Sequence, residues 1–294
     1  MVYLINKFVP LDKAKISILD RGFLYGDGVF ETMRAYEGVV FHLEKHIGRL
    51  FKSLKMLRIR PGIDKPKMQK IVYKLLDKNK LKDAYIKIIV TRGKSTGLLI
   101  PPETRPATLA VYALPYKWHP GNIYKRGIKV FLARPGCNEK SPAAGKKTLN
   151  YLDNILCRYE AKKRRFDDAI LINTKGFVSE ATSSNIFLVK EEKLFTPCLE
   201  SGCLPGITRD EIIRLAKRFW HGINEGFIKT DTLYGADEVF LTNSLAEIVP
   251  VVRIGNHVIG RGAPGPVTEK LRGLFRDSVN RYRAKWKIDK KSFL

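Results

Sequence analysis

Short strand-like runs and helical stripes alternate along this chain, which limits it to folds that mix helices with sheets. Tyr85–Thr91 reads YIKIIVT, Asp168–Asn173 reads DAILIN and Asp237–Thr242 reads DEVFLT. Each has strand length and is rich in β-branched residues. Val2–Pro10 predicts a strand pair. Val29–Tyr36 and Val39–Phe41 predict a hairpin across Glu37-Gly38, and Val249–Ile259 another around Gly255-Asn256. Between them, Leu43, Ile47, Leu50, Leu54 and Leu57 recur with helical period over Leu43–Arg58. Arg49 lies off that stripe and reads as a solvent arginine. Further helices are predicted over Lys65–Asn79, from Leu152, and over Val267–Arg283. Ile16–Asp27 reads as a loop.

The 294 residues suffice for a substantial core. Met1–Asp20 has interspersed lysines and no long apolar run, which predicts no secretory leader and a cytoplasmic protein. No stretch approaches a membrane span. The four cysteines have no tight paired spacing and read as reduced thiols. A net charge of +25 raises a nucleic-acid partner, but the basic residues are spread along the chain without interleaved aromatics. No specific nucleic-acid partner is expected. His42 and His46 lack the glutamate a zinc-protease helix needs, because Leu43 follows His42; no metal is expected. Gly93-Lys94-Ser95 is no phosphate loop, since Ile88 stands where its first glycine belongs.

The candidates for chemistry lie elsewhere. A loop rich in Pro, Gly and Ala ends at Gly145-Lys146-Lys147-Thr148-Leu149-Asn150, where a helical pattern begins with Leu152, Ile155, Leu156 and Tyr159. A lysine at such a junction is a nucleophile if partly desolvated, because its pKa then falls below the free value of about 10.4. It is a surface residue otherwise. Glu180 stands among apolar strand neighbours, where a carboxylate needs a partner or water. Thr208 followed by Glu211 reads as a capping box opening an amphipathic helix. A helix start of this kind offers free N–H groups to an anion.

Six segments occur in order: DRGFLYGDGVFETMRAY, HIGRL, KTLNYLDN, EATSSNIF, LPGITRD and ADEVFLTNSLAEI. Together they resemble the fold-type IV pyridoxal-phosphate enzymes, which include branched-chain aminotransferases, D-amino-acid aminotransferases and aminodeoxychorismate lyases. The resemblance implies an α+β fold with a small α/β N-terminal domain over 1–117, a linker over 118–126 and a larger pseudo-barrel cofactor domain over 127–294. It implies pyridoxal 5'-phosphate, amino-acid and 2-oxo-acid substrates, and a homodimer or higher homo-oligomer. By position, Lys147 matches the lysine that holds the cofactor covalently, with Lys146 its rival. Tyr151 matches a tyrosine on the cofactor's phenolic oxygen, and Glu180 the carboxylate at the ring nitrogen. Arg49 matches the phosphate arginine, Ile207 and Thr208 the phosphate-binding helix start, and Ser244 a further phosphate hydroxyl. Such a cofactor stabilises a carbanion, a carboxylate keeps its ring nitrogen protonated, and the lysine moves the substrate proton.

For substrate, the nearest likeness is to branched-chain aminotransferases. Val90-Thr91-Arg92-Gly93 and Gly97-Leu98-Leu99-Ile100-Pro101 follow their pattern. Tyr25, Phe30, Lys87 and Leu245 fall at substrate-contacting positions. Lys87 departs from the arginine common there, keeping charge but losing bidentate geometry. D-amino-acid enzymes carry R-x-H where this chain has Gly97 and Leu99. The implied reaction is ping-pong amino transfer from Leu, Ile or Val to 2-oxoglutarate. D-amino-acid transaminase and aminodeoxychorismate lyase are the alternatives on this fold, with a basic nucleic-acid-binding protein behind them.

Overall fold

A computed structural model describes residues 1–95, 99, 100, 106–117, 122–219 and 222–289. In chain order the elements begin β1 (Val2–Leu4), β2 (Lys7–Val9), α1 (Arg21–Tyr25), β3 (Gly28–Tyr36), β4 (Val39–Val40), α2 (Leu43–Met56), α3 (Lys65–Lys78), β5 (Ala84–Thr91) and β6 (Thr108–Pro115). They continue with α4 (Ile123–Arg126), β7 (Ile128–Cys137), α5 (Leu152–Lys163), β8 (Asp168–Asn173), β9 (Phe177–Ala181), β10 (Asn185–Lys190), β11 (Lys193–Pro197), α6 (Ile207–Phe219), β12 (Ile223–Gly226) and β13 (Ile228–Lys229). The last are α7 (Thr230–Tyr234), β14 (Glu238–Asn243), β15 (Glu247–Ile254), β16 (His257–Val258) and α8 (Pro266–Asp289). Two units result. One comprises Met1–Lys117, Lys147–Asn150 and Asn280–Leu294; the other comprises Trp118–Lys146 and Tyr151–Val279. Residues 96–98 and 101 of the glycine-rich segment, and 118–121 of the expected linker, lie outside the described residues.

The first unit is an antiparallel six-stranded sheet in the order β2-β1-β6-β5-β3-β4. Helices α2 and α3 supply Ile47, Leu50, Leu54, Met68, Val72 and Leu75 to a core shared with Val29, Met33, Ile86, Ile88 and Val111 of the sheet. The helical stripe read from the sequence is therefore the buried face of α2. Residues 16–27 are not all loop, because α1 forms within them. Asp20 caps it by accepting from the Gly22 N–H at 2.8 Å, and Gly26 ends it at φ +65°. The same buried Asp20 carboxylate accepts from Thr91 and Thr108 at 3.0 and 2.6 Å. A polar, glycine-rich segment shows no period, so these long-range partners were invisible in it.

The second unit holds a ten-stranded sheet that approaches a barrel. Strand β7 runs parallel to β8 and β15, and β11 parallel to β12; the other pairings are antiparallel. Its core joins Val130, Ile170, Ile186, Leu188, Val239 and Val251. Two sequence readings change here. Helix α6 begins at Ile207, so Thr208 lies inside its first turn and does not cap it. Glu211 has partners elsewhere. Buried, it binds Arg214 at 2.6 and 2.9 Å and accepts from the Ser278 hydroxyl. In α5, the stripe of Leu152, Ile155, Leu156 and Tyr159 is 45–68% exposed, and the fully buried residue is Ala161.

The start of α8 shows how closely this unit is fitted. The buried Glu238 carboxylate accepts from the Val267 and Thr268 N–H groups at 2.9 and 2.7 Å, and from the Thr268 hydroxyl at 2.6 Å. It answers the free N–H groups of the helix end with a full negative charge. A Cβ at Gly265 would stand 2.0 Å from the Glu238 Cδ. We expect Gly265→Ala to displace this cap and lower unfolding free energy by about 1–3 kcal/mol, read by urea denaturation.

Candidate active site

In the first unit, Lys147 is placed by backbone pairing with the start of β3. The Phe30 N–H donates to the Lys147 carbonyl at 3.0 Å, and the Leu149 N–H to the Gly28 carbonyl at 3.0 Å. Val29 and Thr148 form a bridge between these bonds. Gly28 is needed for this approach: a Cβ there would meet the Val90 carbonyl at 2.6 Å and Leu149 Cδ1 at 2.8 Å. The lysine motif thus lies against a strand, not in a free loop. The Lys147 ammonium stands 4.5 Å from the Phe30 ring centroid, and the Lys87 ammonium stands 4.6 Å from the same ring. Lys87 pairs in register with Thr32 of β3 and Tyr112 of β6. Tyr25 ends α1, nearly half its surface exposed, with the Arg21 guanidinium 5.0 Å from its ring centre.

Arg49 is not the solvent arginine its place off the stripe suggested. Its side chain is 12% exposed, and its Nε and Nη2 donate to Glu31 at 2.7 and 2.8 Å. Glu31 has no exposed surface and also meets His46 Nδ1 at 2.7 Å. Burial alone would raise the Glu31 pKa. The charge and hydrogen bonds of Arg49, with those of His46, overcome this and bring it down to about 2. Burial wins at His46, holding its pKa below the ordinary value despite the carboxylate. Its complete burial favours the neutral ring, which donates Nδ1–H while Arg49 carries the charge. Glu31 was not singled out in the sequence, and His46 was weighed there only as a metal ligand. The signal was the alternation Val29-x-Glu31-x-Met33, which puts a carboxylate on the apolar face of a strand.

In the second unit, Glu180 is half-buried on β9 and accepts from the Leu204 N–H at 3.0 Å and from Asn185 Nδ2 at 3.3 Å. Asn185 also donates to the Leu204 carbonyl at 2.8 Å. The turn it grips, Leu204-Pro205-Gly206, leads into α6, where Ile207 and Thr208 are buried in the first turn. A Cβ at Gly206 would stand 2.0 Å from Asn185 Oδ1. A second thread runs through Ser184, whose hydroxyl accepts from Asn243 Nδ2 at 2.9 Å. Asn243 Oδ1 in turn accepts from the Leu245 and Ala246 N–H groups at 2.9 and 2.7 Å, which shapes the turn carrying Ser244. Tyr151 precedes α5, whose first turn is tied to Thr182 by Asn154 at 2.9 Å. Glu180, the α6 start and the Ser244 turn are thus linked through Ser184 and Asn185. Neither of those two residues was given a role from the sequence, where they only lead into the apolar run from Ile186 to Val189.

The chain as a whole is similar to known proteins. The family profile described as amino-transferase class IV matches residues 28–254. The chain is a class IV aminotransferase. It is 42% identical over 287 residues to a Methanocaldococcus jannaschii protein whose name as a branched-chain-amino-acid aminotransferase is itself provisional; the match covers 98% of each chain. It is 32% identical to the D-alanine aminotransferase of Bacillus licheniformis, covering 93% of this chain and 95% of that one. The crystal structure of the Escherichia coli branched-chain amino acid aminotransferase superposes with a TM-score of 0.91 at 30% identity. That match covers 94% of this chain and 93% of the other. The fold is that of the fold-type IV aminotransferases. Among the described residues, no helix is long and apolar enough to cross a membrane.

The class IV family depends on pyridoxal phosphate, and a solved branched-chain aminotransferase of this fold holds pyridoxamine 5'-phosphate. The donor set of this chain fits that group. Lys147 supplies an amine beside an aromatic ring. Glu180 is a carboxylate held by N–H donors, and hydrogen bonds of that kind favour its charged form. Arg49 is a cation with its guanidinium held by a carboxylate, and α6 is a thirteen-residue helix whose N-terminus suits an anion.

The Glu31 cluster makes a prediction about acid. Its folded pKa lies below the reference value of 4.5, so its contribution to stability is complete above that pH and is lost as pH falls toward about 2. His46, also depressed, adds a loss that begins below 6.5. Urea midpoints measured from pH 7 to 2 should fall for the natural chain. Glu31→Gln should lose the segment below pH 4.5 while starting from lower stability at pH 7, by about 3 kcal/mol for a disrupted buried pair.

Proposed function

We propose that this chain is a pyridoxal-phosphate-dependent transaminase that moves the amino group of L-leucine, L-isoleucine or L-valine to 2-oxoglutarate by a ping-pong mechanism. The observation that carries the reading is the Phe30 ring with the Lys147 and Lys87 ammonium groups beside it. One amine serves proton transfer, and the other is a charge for a carboxylate. Phe30 and Tyr25 supply the apolar surface that a branched side chain requires.

When bound, pyridoxal phosphate supplies an electron sink for the pair left on the substrate α-carbon. Lys147 would use its Nζ to carry the proton from that carbon to the cofactor carbon that accepts the amino group, and would run the same transfer in reverse in the second half-reaction. Its backbone pairing with β3 holds it in place for both halves. Glu180 keeps the ring nitrogen protonated, its own orientation set by Leu204 and Asn185. Tyr151 donates to the phenolic oxygen. Arg49 binds the phosphate, as do Ser244 and the first turn of α6 at Ile207 and Thr208. Lys87 attracts a substrate carboxylate by charge alone, without the paired bonds an arginine makes. The Leu245 turn completes the substrate positions.

The D-alanine aminotransferase relative makes a D-specific activity the second reading. Against it stand Gly97 and Leu99, where D-amino-acid enzymes carry arginine and histidine. The reading includes assembly as a homodimer or higher, and the exposed apolar side chains of Ile18 and Phe23 in the first unit offer surface that such assembly would cover.

Amino transfer from L-leucine, D-alanine and aminodeoxychorismate, measured in parallel, should show turnover with L-leucine only; D-alanine turnover without L-leucine turnover sinks the substrate assignment. Lys147→Ala should lower the rate by roughly 10³-fold and abolish the borohydride-trapped adduct, with Lys146→Ala retaining both. The reverse pattern would move the role to Lys146.

A further inference from the structure

Glu31 is chemically out of place where it stands. It occupies the core side of β3, between Val29 and Met33, with no exposed surface. A well-packed apolar side chain at such a position generally costs no stability relative to a buried ion pair, so stability alone gives no reason for a carboxylate here. What the carboxylate does is geometric. Both its oxygens are used against one side chain: Oε1 accepts from Arg49 Nε at 2.7 Å and Oε2 from Arg49 Nη2 at 2.8 Å. This paired contact fixes the plane of the guanidinium as well as its position. His46 stands three residues before Arg49 on α2, on the same face, and holds Oε2 at 2.7 Å. The carboxylate is therefore clamped from two points of one helix while it clamps the arginine. A long side chain with many rotamers is left with essentially one.

We propose that Glu31, latched by His46, is a positioning residue that presets Arg49 for a phosphate group. This rests on the reading above in which Arg49 binds the phosphate of the cofactor. An arginine already fixed in plane loses less freedom when an anion arrives, so the anion binds more tightly. The effect belongs to the phosphate and not to the rest of the cofactor. Pyridoxal, which lacks the phosphate, is therefore the control ligand.

The test titrates the full chain, stripped of cofactor, with pyridoxal 5'-phosphate and separately with pyridoxal, following absorbance. Glu31→Gln keeps the shape of the side chain and removes its charge. Its affinity for pyridoxal phosphate should fall roughly 10- to 100-fold, the scale known for removing the outer hydrogen-bond partner of a metal ligand, with pyridoxal affinity unchanged. Glu31→Asp should recover part of the loss, and His46→Gln should show a smaller loss of the same phosphate-dependent kind. A folded Glu31→Gln protein that binds pyridoxal phosphate like the natural chain overturns the proposal. So does an equal loss for both ligands, which marks a merely structural role. If Glu31→Gln does not fold, His46→Gln decides: an unchanged ratio of the two affinities overturns the proposal, and a shifted ratio supports it. If the natural chain binds neither ligand, the cofactor reading itself fails and this inference falls with it.

Discussion

Strand β3 has two faces, and the placement of chemistry in the first unit follows from their alternation. Phe30 faces one side, beneath the ammonium groups of Lys147 and Lys87. Glu31 faces the other, among the helices, and holds Arg49. A slip of one residue in the pairing of β3 with β5 would exchange the two faces and leave a charge in the core without partners. The register is kept by the eight-residue pairing from Gly28–Thr91 to Ala35–Ala84 and by the apolar side chains that α2 and α3 cover. Packing that looks purely structural therefore sets the positions of Lys147 and Arg49 together.

Several buried and half-buried charges in this protein are answered close at hand. Asp27, between Arg21 and Arg92 at 2.8 and 2.7 Å, keeps a pKa below the usual carboxylate range: burial pushes it up, and the two arginines more than offset this. Glu238 is answered by a helix terminus, and Glu211 by an arginine and a hydroxyl. At Glu180 the hydrogen bonds from Leu204 and Asn185 come from neutral N–H groups, one of the backbone and one of an amide side chain. Neutral donors of this kind favour the ionised form of a carboxylate and fix its orientation.

Much of the fold was legible because regular elements carry a period. The stripe from Leu43 to Leu54, the runs YIKIIVT and DAILIN, and the turn at Gly255-Asn256 each specify an element from neighbours in sequence alone. The helix over Arg21–Tyr25 was not legible, because its cap, Asp20, is itself held by Thr91 and Thr108, distant in the chain. The capping-box reading at Thr208 failed for a related reason. The pattern was present, but Glu211 found a better partner in Ser278, at a distance no local rule includes. The apolar stripe on α5 gave the helix correctly, yet it faces outward, because a period defines a face and not what covers it.

The order of motifs along the chain was enough to place it among class IV aminotransferases and to nominate the lysine, the carboxylate and the arginine. Those are properties of residue type and spacing, which a sequence carries whole. Tertiary structure alone decided that Arg49 is clamped and not free, that Lys147 is strapped to β3 by backbone hydrogen bonds, and that Asn185 joins Glu180 to the turn before α6. Each depends on segments far apart in the chain being brought within hydrogen-bonding distance, and such proximity is a consequence of packing that no local pattern encodes.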